Sequence, residues 1–150
     1  MKLSVLLSLA FATAAVRAAV PVGKVINIRD FKRNVLDLAF GSGSELSPIQ
    51  TLNHKTHTLP QGWIIQAGAN GLFTIKNIMS GTFVSFTGAV TGVNPTTAQL
   101  QPHVIEPNTG EAVTSWPFQS STIIGLSTPV TIQSYDPAAS QQIFKFPTFS

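Results

Sequence analysis

The chain has 150 residues, 43% hydrophobic and only 10% charged, with no cysteine. That length suits one domain with a real core, and the core must stand without disulfides. The formal net charge is +3, and past the N-terminus Lys32-Arg33 is the only basic run, which argues against nucleic acid as a partner.

The first residues read as a leader. Lys2 supplies a positive start, Leu3 to Ala15 is uncharged and mostly apolar, and Val16-Arg17-Ala18 offers a small-residue cleavage site. This pattern predicts a secretory signal peptide over 1–18, an extracellular location, and one domain over 19–150. The apolar run is shorter than the ~20 residues of a membrane span, and no later stretch is long enough either. Removing residues 1–18 leaves 132, and losing Lys2 and Arg17 takes nine basic side chains to seven against six acidic, a net of +1. The one near match to a glycosylation acceptor, Asn94-Pro95-Thr96, is excluded by its proline.

From there the chain breaks into short runs rich in Val, Ile, Thr and Phe, with no helical period. That is an all-β pattern. The strands are expected at 24–29, 34–39, 47–52, 62–66, 72–77, 82–87, 97–101, 114–119, 121–126, 129–134 and 142–147. Between them stand the turn signals Gly41-Ser42-Gly43-Ser44, Gly68-Ala69-Asn70-Gly71, Asn94-Pro95 and Asp136-Pro137. Residues 102–113, with Pro102, Pro107, Asn108 and Gly110, read as an exposed loop insertion.

One passage occurs twice. Ile26-Asn27-Ile28-Arg29-Asp30 is followed by Val35-Leu36-Asp37-Leu38, and Phe73-Thr74-Ile75-Lys76-Asn77 by Phe83-Val84-Ser85-Phe86. A period of about 50 residues means copies of one supersecondary unit. End markers are read at Gln61-Gly62-Trp63, Thr114-Ser115-Trp116 and Gln141-Gln142-Ile143-Phe144. Trp63, Trp116 and Phe144 are expected as structural core plugs, since burial of a large ring alone justifies it. The units come out at roughly 45, 50 and 30 residues, the third clipped.

These residues carry a resemblance. Gln61-Gly62-Trp63, with Ile75-Lys76-Asn77 and Ser80-Gly81-Thr82 in the second unit and Thr128-Pro129-Val130 to Gln142 at the close, is similar to the ricin-B-type β-trefoil lectins, over essentially all of 22–149. The resemblance implies an all-β β-trefoil of about twelve short strands that binds glycans. It also implies a sugar site made of an Asp on the second strand, a Gln or aromatic on the third and a polar pair at the Gln-x-Trp turn. In the first unit Asp37, Gln50 and Gln61 match, Pro60 replaces the usual Asn, Leu52 replaces the stacking aromatic, and His54 is the nearest ring. The second unit has Ser85 for the acid and Thr114 for the turn Gln, keeping only Gln99. The third keeps Gln141 without an acid. At most one site is expected, in the first unit.

Chemistry supports that set independently. Sugars present hydroxyls that both donate and accept, and a carboxylate accepts from two of them with charge-assisted strength. The scaffold reading stands beside it: Asp37 and Gln61 equally suit bonding turn backbone, and recurrence of the marker favours that role for Gln61.

Catalysis is not expected. A glycosidase needs two positioned carboxylates, and the six acids show no such pair. His54-x-x-His57 lacks the third ligand of a catalytic zinc, no Gly-x-Ser-x-Gly elbow is present, and no metal or cofactor is implied. Two other readings stay open: a β-trefoil protease inhibitor acting through loops 53–60 and 102–113, and a trefoil scaffold that has lost sugar binding.

Overall fold

The structure, a computed structural model, describes residues 20–55, 58–86, 90–100, 103–116 and 127–150. The leader 1–18, His57, Phe118 and the strand expected at 121–126 lie outside them. Among the described residues eleven short strands form: β1 (Val25–Ile26), β2 (Val35–Leu38), β3 (Ile49–Leu52), β4 (Trp63–Ala67), β5 (Phe73–Asn77), β6 (Phe83–Ser85), β7 (Val90–Gly92), β8 (Gln99–Leu100), β9 (Val104–Ile105), β10 (Glu111–Ser115) and β11 (Thr128–Ser134). They join in two sheets, ordered β1-β4-β5-β6-β7 and β2-β3-β11-β10-β9-β8, with every strand pair antiparallel. The C-terminal segment closes on β1 and its extension, with Arg29 bridging Lys145 and Ile26 bridging Thr148.

The threefold repeat is written in three turns. Asp30, Asn77 and Glu106 each stand at the head of a turn, and each side chain accepts the backbone N–H groups of the turn that follows. Asp30 Oδ1 takes Lys32 and Asn34 at 2.9 Å. Asn77 Oδ1 takes Met79 at 3.0 Å and Ser80 at 3.2 Å. The Glu106 carboxylate takes Asn108 at 3.0 Å and Thr109 at 2.6 Å. Each turn then passes through a left-handed residue, Arg33 (φ 71), Gly81 (φ 74) or Gly110 (φ 73). Two are glycine because the missing Cβ removes the clash there.

That register corrects the unit boundaries. The first unit is β1 to β4. The second is the short one, β5 to β8 within 73–100, and the third runs from β9 to the C-terminus. The segment expected as an exposed loop at 102–113 is therefore mostly sheet over its described residues 103–113, where His103, Val104, Ile105, Ala112 and Val113 are buried; Pro102 lies outside the described residues. Only Pro107 to Gly110 turn, while the β-branched residues around them pair as β9 and β10.

The core follows the same threefold plan. Strand alternation aims every second residue inward, so Ile28, Ile75 and Val104 meet Leu36, Val84 and Val113 near the axis. Trp63 is fully buried, worth about 5 kcal/mol of transfer free energy, and its Nε1 donates to the Leu36 carbonyl at 3.0 Å. Phe144 is buried at the matching place in the third unit. In the second unit that place belongs to Ala98: Trp63 stands opposite Ile26, and Ala98 opposite Phe73. Phe73 and Phe86 pack against the core beside it, and the Thr96 hydroxyl donates to the Val84 carbonyl. Trp116 is no core plug. It follows β10 on the surface, 40% exposed, its Nε1 donating to Thr131.

Candidate functional site

The first unit presents Asp37 on the face of β2 opposite the core. β2 pairs with β3 so that Asp37 stands beside Gln50, while Leu36 and Leu38 point inward. The 3-10 turn Leu59–Gln61 packs over the same face. Asp37 is only 5% exposed, and its Oδ1 accepts from Gln50 Nε2 at 3.1 Å. Burial pushes its carboxyl pKa up. Bonds from the Gln50 and Gln61 side chains and the Lys55 charge pull the other way without cancelling it, so the pKa stays above the ordinary value.

Gln61 is spent on the scaffold. Its Oε1 accepts the Lys55 N–H at 2.9 Å and its Nε2 donates to the Asn53 carbonyl at 3.1 Å. Gln142 repeats this: Oε1 accepts the Asp136 N–H at 2.8 Å, and Nε2 donates to the Ser134 carbonyl at 2.9 Å. The turn glutamine of the third unit is therefore Gln142, not Gln141. The spacing to the acceptor and donor residues is identical in the two units. Gln142 Nε2 also reaches Thr114 Oγ1 at 3.1 Å, so Thr114 holds the place of Asp37 rather than of a turn Gln. In the second unit that place is Ser85, paired with Val90, and Gln99 is exposed on β8.

The structure thus brings Asp37, Gln50 and Gln61 together. It turns His54 elsewhere: Nε2 lies 3.1 Å from the Ser150 carbonyl, tying down the chain end. Among the described residues no group of three His, Cys, Asp or Glu side chains can hold a metal ion.

One residue escaped the sequence reading. Phe40 is 100% exposed, in the turn Ala39–Gly41 that leaves β2, and its φ is 58. The turn Ala69–Gly71 has the same conformation with Asn70 in that position. Asn tolerates the left-handed region, whereas a bulky residue there costs roughly 1–2 kcal/mol. Neither burial nor backbone preference explains an aromatic at Phe40. The next residue, Gly41, is also left-handed (φ 60), so a side chain there would be strained.

No protein-family model matches the sequence, and neither does any curated protein. Solved structures do match. The agglutinin of Rhizoctonia solani superposes with a TM-score of 0.73 at 18% identity, covering 87% of this chain and 98% of that one. The designed threefold-symmetric protein ThreeFoil gives 0.65 at 16%, covering 83% and 99%. The C-terminal half of the earthworm R-type lectin, solved with GalNAc, gives 0.64 at 13%, covering 83% and 98%. The fold is a β-trefoil. It is shared with lectins of the ricin-B type that the sequence resembles, and full-length coverage of these compact neighbours fits three complete trefoil units.

Proposed function

We propose that this β-trefoil is an exported carbohydrate-binding protein, a lectin that acts by binding rather than catalysis. Its first-unit site is centred on Asp37, with Gln50 at its side and Phe40 as an exposed ring on the adjoining turn. Asp37 carries the reading. The fold does not need an acid there, since Ser85 and Thr114 hold the equivalent positions. Keeping a carboxyl nearly buried is unfavourable, so its presence is explained by a ligand. A sugar hydroxyl that reaches Asp37 joins the Gln50 and Gln61 amides as a further donor to the carboxylate. Gln61 positions the surrounding backbone. Support comes also from the Rhizoctonia solani agglutinin and from the earthworm lectin with its bound GalNAc. The leader at 1–18 supports export.

The protease-inhibitor reading keeps only a short turn from its second loop, since among residues 103–113 Pro107 to Gly110 turn and the flanking residues pair as β9 and β10. A glycan array on residues 19–150 tests the lectin reading. Binding to at least one glycan is expected, weakened about tenfold or more in Asp37→Ala, the loss of one charge-assisted hydrogen bond. No binding above background, or unchanged binding in Asp37→Ala, ends it.

A further inference from the structure

Among the described residues eight large hydrophobic side chains are exposed, and five of them stand along one seam between the first and second units: Phe40, Leu46, Leu59, Met79 and Val93. The turn Ala39–Gly41 packs against the turn Leu59–Gln61. Met79 lies against Gly41, its sulfur 2.6 Å from where a Cβ would stand. The Leu46 N–H donates to the Thr91 carbonyl at 2.7 Å, which sets Leu46 beside the end of β7, and Val93 follows that strand. Exposure is 100% at Phe40, 67% at Leu46 and between 50% and 59% at the other three.

Neither packing nor backbone preference accounts for these residues. Phe40 (φ 58) and Leu46 (φ 60) are both left-handed, where a bulky side chain is disfavoured and Asn is tolerated. Asn70 takes the matching position in the turn Ala69–Gly71. The seam is also nearly uncharged: across residues 39–46, 58–62, 78–81 and 90–93, Glu45 is the one ionised side chain. Apolar surface gathered on the outside of a protein marks a contact with a partner.

Two features choose the partner. A stable pair of protein surfaces buries ~1,200–2,000 Å² in total, with about 20–30 residues a side, and this seam offers five apolar side chains on separate turns. Phe40 also stands clear of the surface, so a protein partner would need a pocket shaped to receive it, whereas a fluid acyl layer needs none. We propose that the seam is a membrane-contact surface, its apolar side chains entering the interfacial layer of a zwitterionic lipid bilayer. Burial of apolar area drives the contact, not charge. It goes beyond the carbohydrate-binding reading and does not depend on it. Phe40 lies three residues after Asp37, so the two surfaces adjoin, and a glycan carried on a lipid would meet both.

Co-sedimentation of residues 19–150 with phosphatidylcholine vesicles that carry no sugar tests the contact. A saturable bound fraction is expected, little changed between about 0.1 M and about 0.5 M salt, because screening acts on charges and not on apolar contact. Phe40→Asn combined with Leu46→Asn should weaken binding about tenfold or more, since two apolar side chains no longer enter the bilayer. Met79→Ser, on a separate turn, should weaken it as well. The urea midpoint of the double variant should not fall, since Asn tolerates the left-handed region; weaker binding by a protein as stable as the parent therefore reports the surface. Vesicle binding without any glycan bound on the array would end the lectin reading and uphold this one. No sedimentation above the vesicle-free control, unchanged binding in the double variant, or a parent dimer on gel filtration that the double variant abolishes, overturns the proposal.

Discussion

At Asp37 the proposed glycan binding and stability make opposite demands on one side chain. Its folded pKa lies above the 3.8 of an unperturbed carboxyl because burial disfavours the charge. In the folded state it therefore holds its proton to higher pH than in the unfolded state. Its contribution to stability is fully present below 3.8 and is lost as pH rises through the raised folded value. At neutral pH the ionised group is a liability. Asp37→Asn keeps the shape and removes the charge, so it should raise the urea midpoint at pH 7, with the gain shrinking as pH falls toward 3.8. The same variant should bind glycan more weakly. A variant less stable than the parent at pH 7 would instead mark Asp37 as structural. Asp37, Gln50 and Gln61 were put together by the resemblance to ricin-B-type lectins, and the pairing of β2 with β3 places Asp37 beside Gln50. Sequence proximity put His54 in the set, and only the fold shows Ser150 as its partner. Phe40 was hidden for the opposite reason, since nothing in Ala39-Phe40-Gly41 announces a positive φ on an aromatic.

At the scale of the element, the turns after Asp30, Asn77 and Glu106 hold the units in register. Each uses one acceptor side chain to gather amide groups that would otherwise be left unpaired. Asp30 also accepts from Ser115 of the third unit at 2.8 Å, so its buried carboxylate has three donors. At Glu106 burial works upward on the pKa, but the Asn108 and Thr109 bonds outweigh it and hold the carboxyl below its ordinary value. Asn77 does most. Beyond its two turn amides, its Nδ2 donates to the Pro60 carbonyl at 3.0 Å and the Gly62 carbonyl at 3.2 Å, joining its turn to the Gln61-Gly62-Trp63 corner. Asn77→Ala should cost about 3 kcal/mol in urea unfolding, since buried backbone groups lose their partner at both ends. A loss within 1 kcal/mol would mean that water replaces the side chain. The Asp30 and Asn77 copies were visible as a sequence repeat. The Glu106 copy was not, because a longer acid substitutes for Asp or Asn and the flanking prolines made the segment look like a loop.

For the whole molecule, acid is the informative stress. His103 is buried with neither ring nitrogen bonded, and burial lowers its pKa below 6.5. It stays neutral in the folded state while the unfolded chain protonates. Its contribution is fully present above 6.5 and is lost as pH falls from there toward the lowered folded value. The melting temperature of the parent should therefore drop more between pH 7.5 and pH 5 than that of His103→Phe. Equal drops in the two proteins would show that other groups set the acid limit. Asp37 acts in the opposite sense, gaining as pH falls, so the comparison is best made in the Asp37→Asn background.

The class of fold was legible before any coordinates: short β-branched runs, turn residues between them, no cysteine, and two recognisable copies of one unit. So was the chemistry available at Asp37, because residue type and strand register are local properties. Which copies are equivalent emerged only in three dimensions. Ala98 stands in for Trp63, and Trp116, matched to Trp63 by type, lies on the surface. A repeat in a β-trefoil is defined by its place in the hydrogen-bond network and around the axis. A neighbour such as Phe73 can fill the volume that a small residue leaves, so the side chain at an equivalent position is free to change while the position is not.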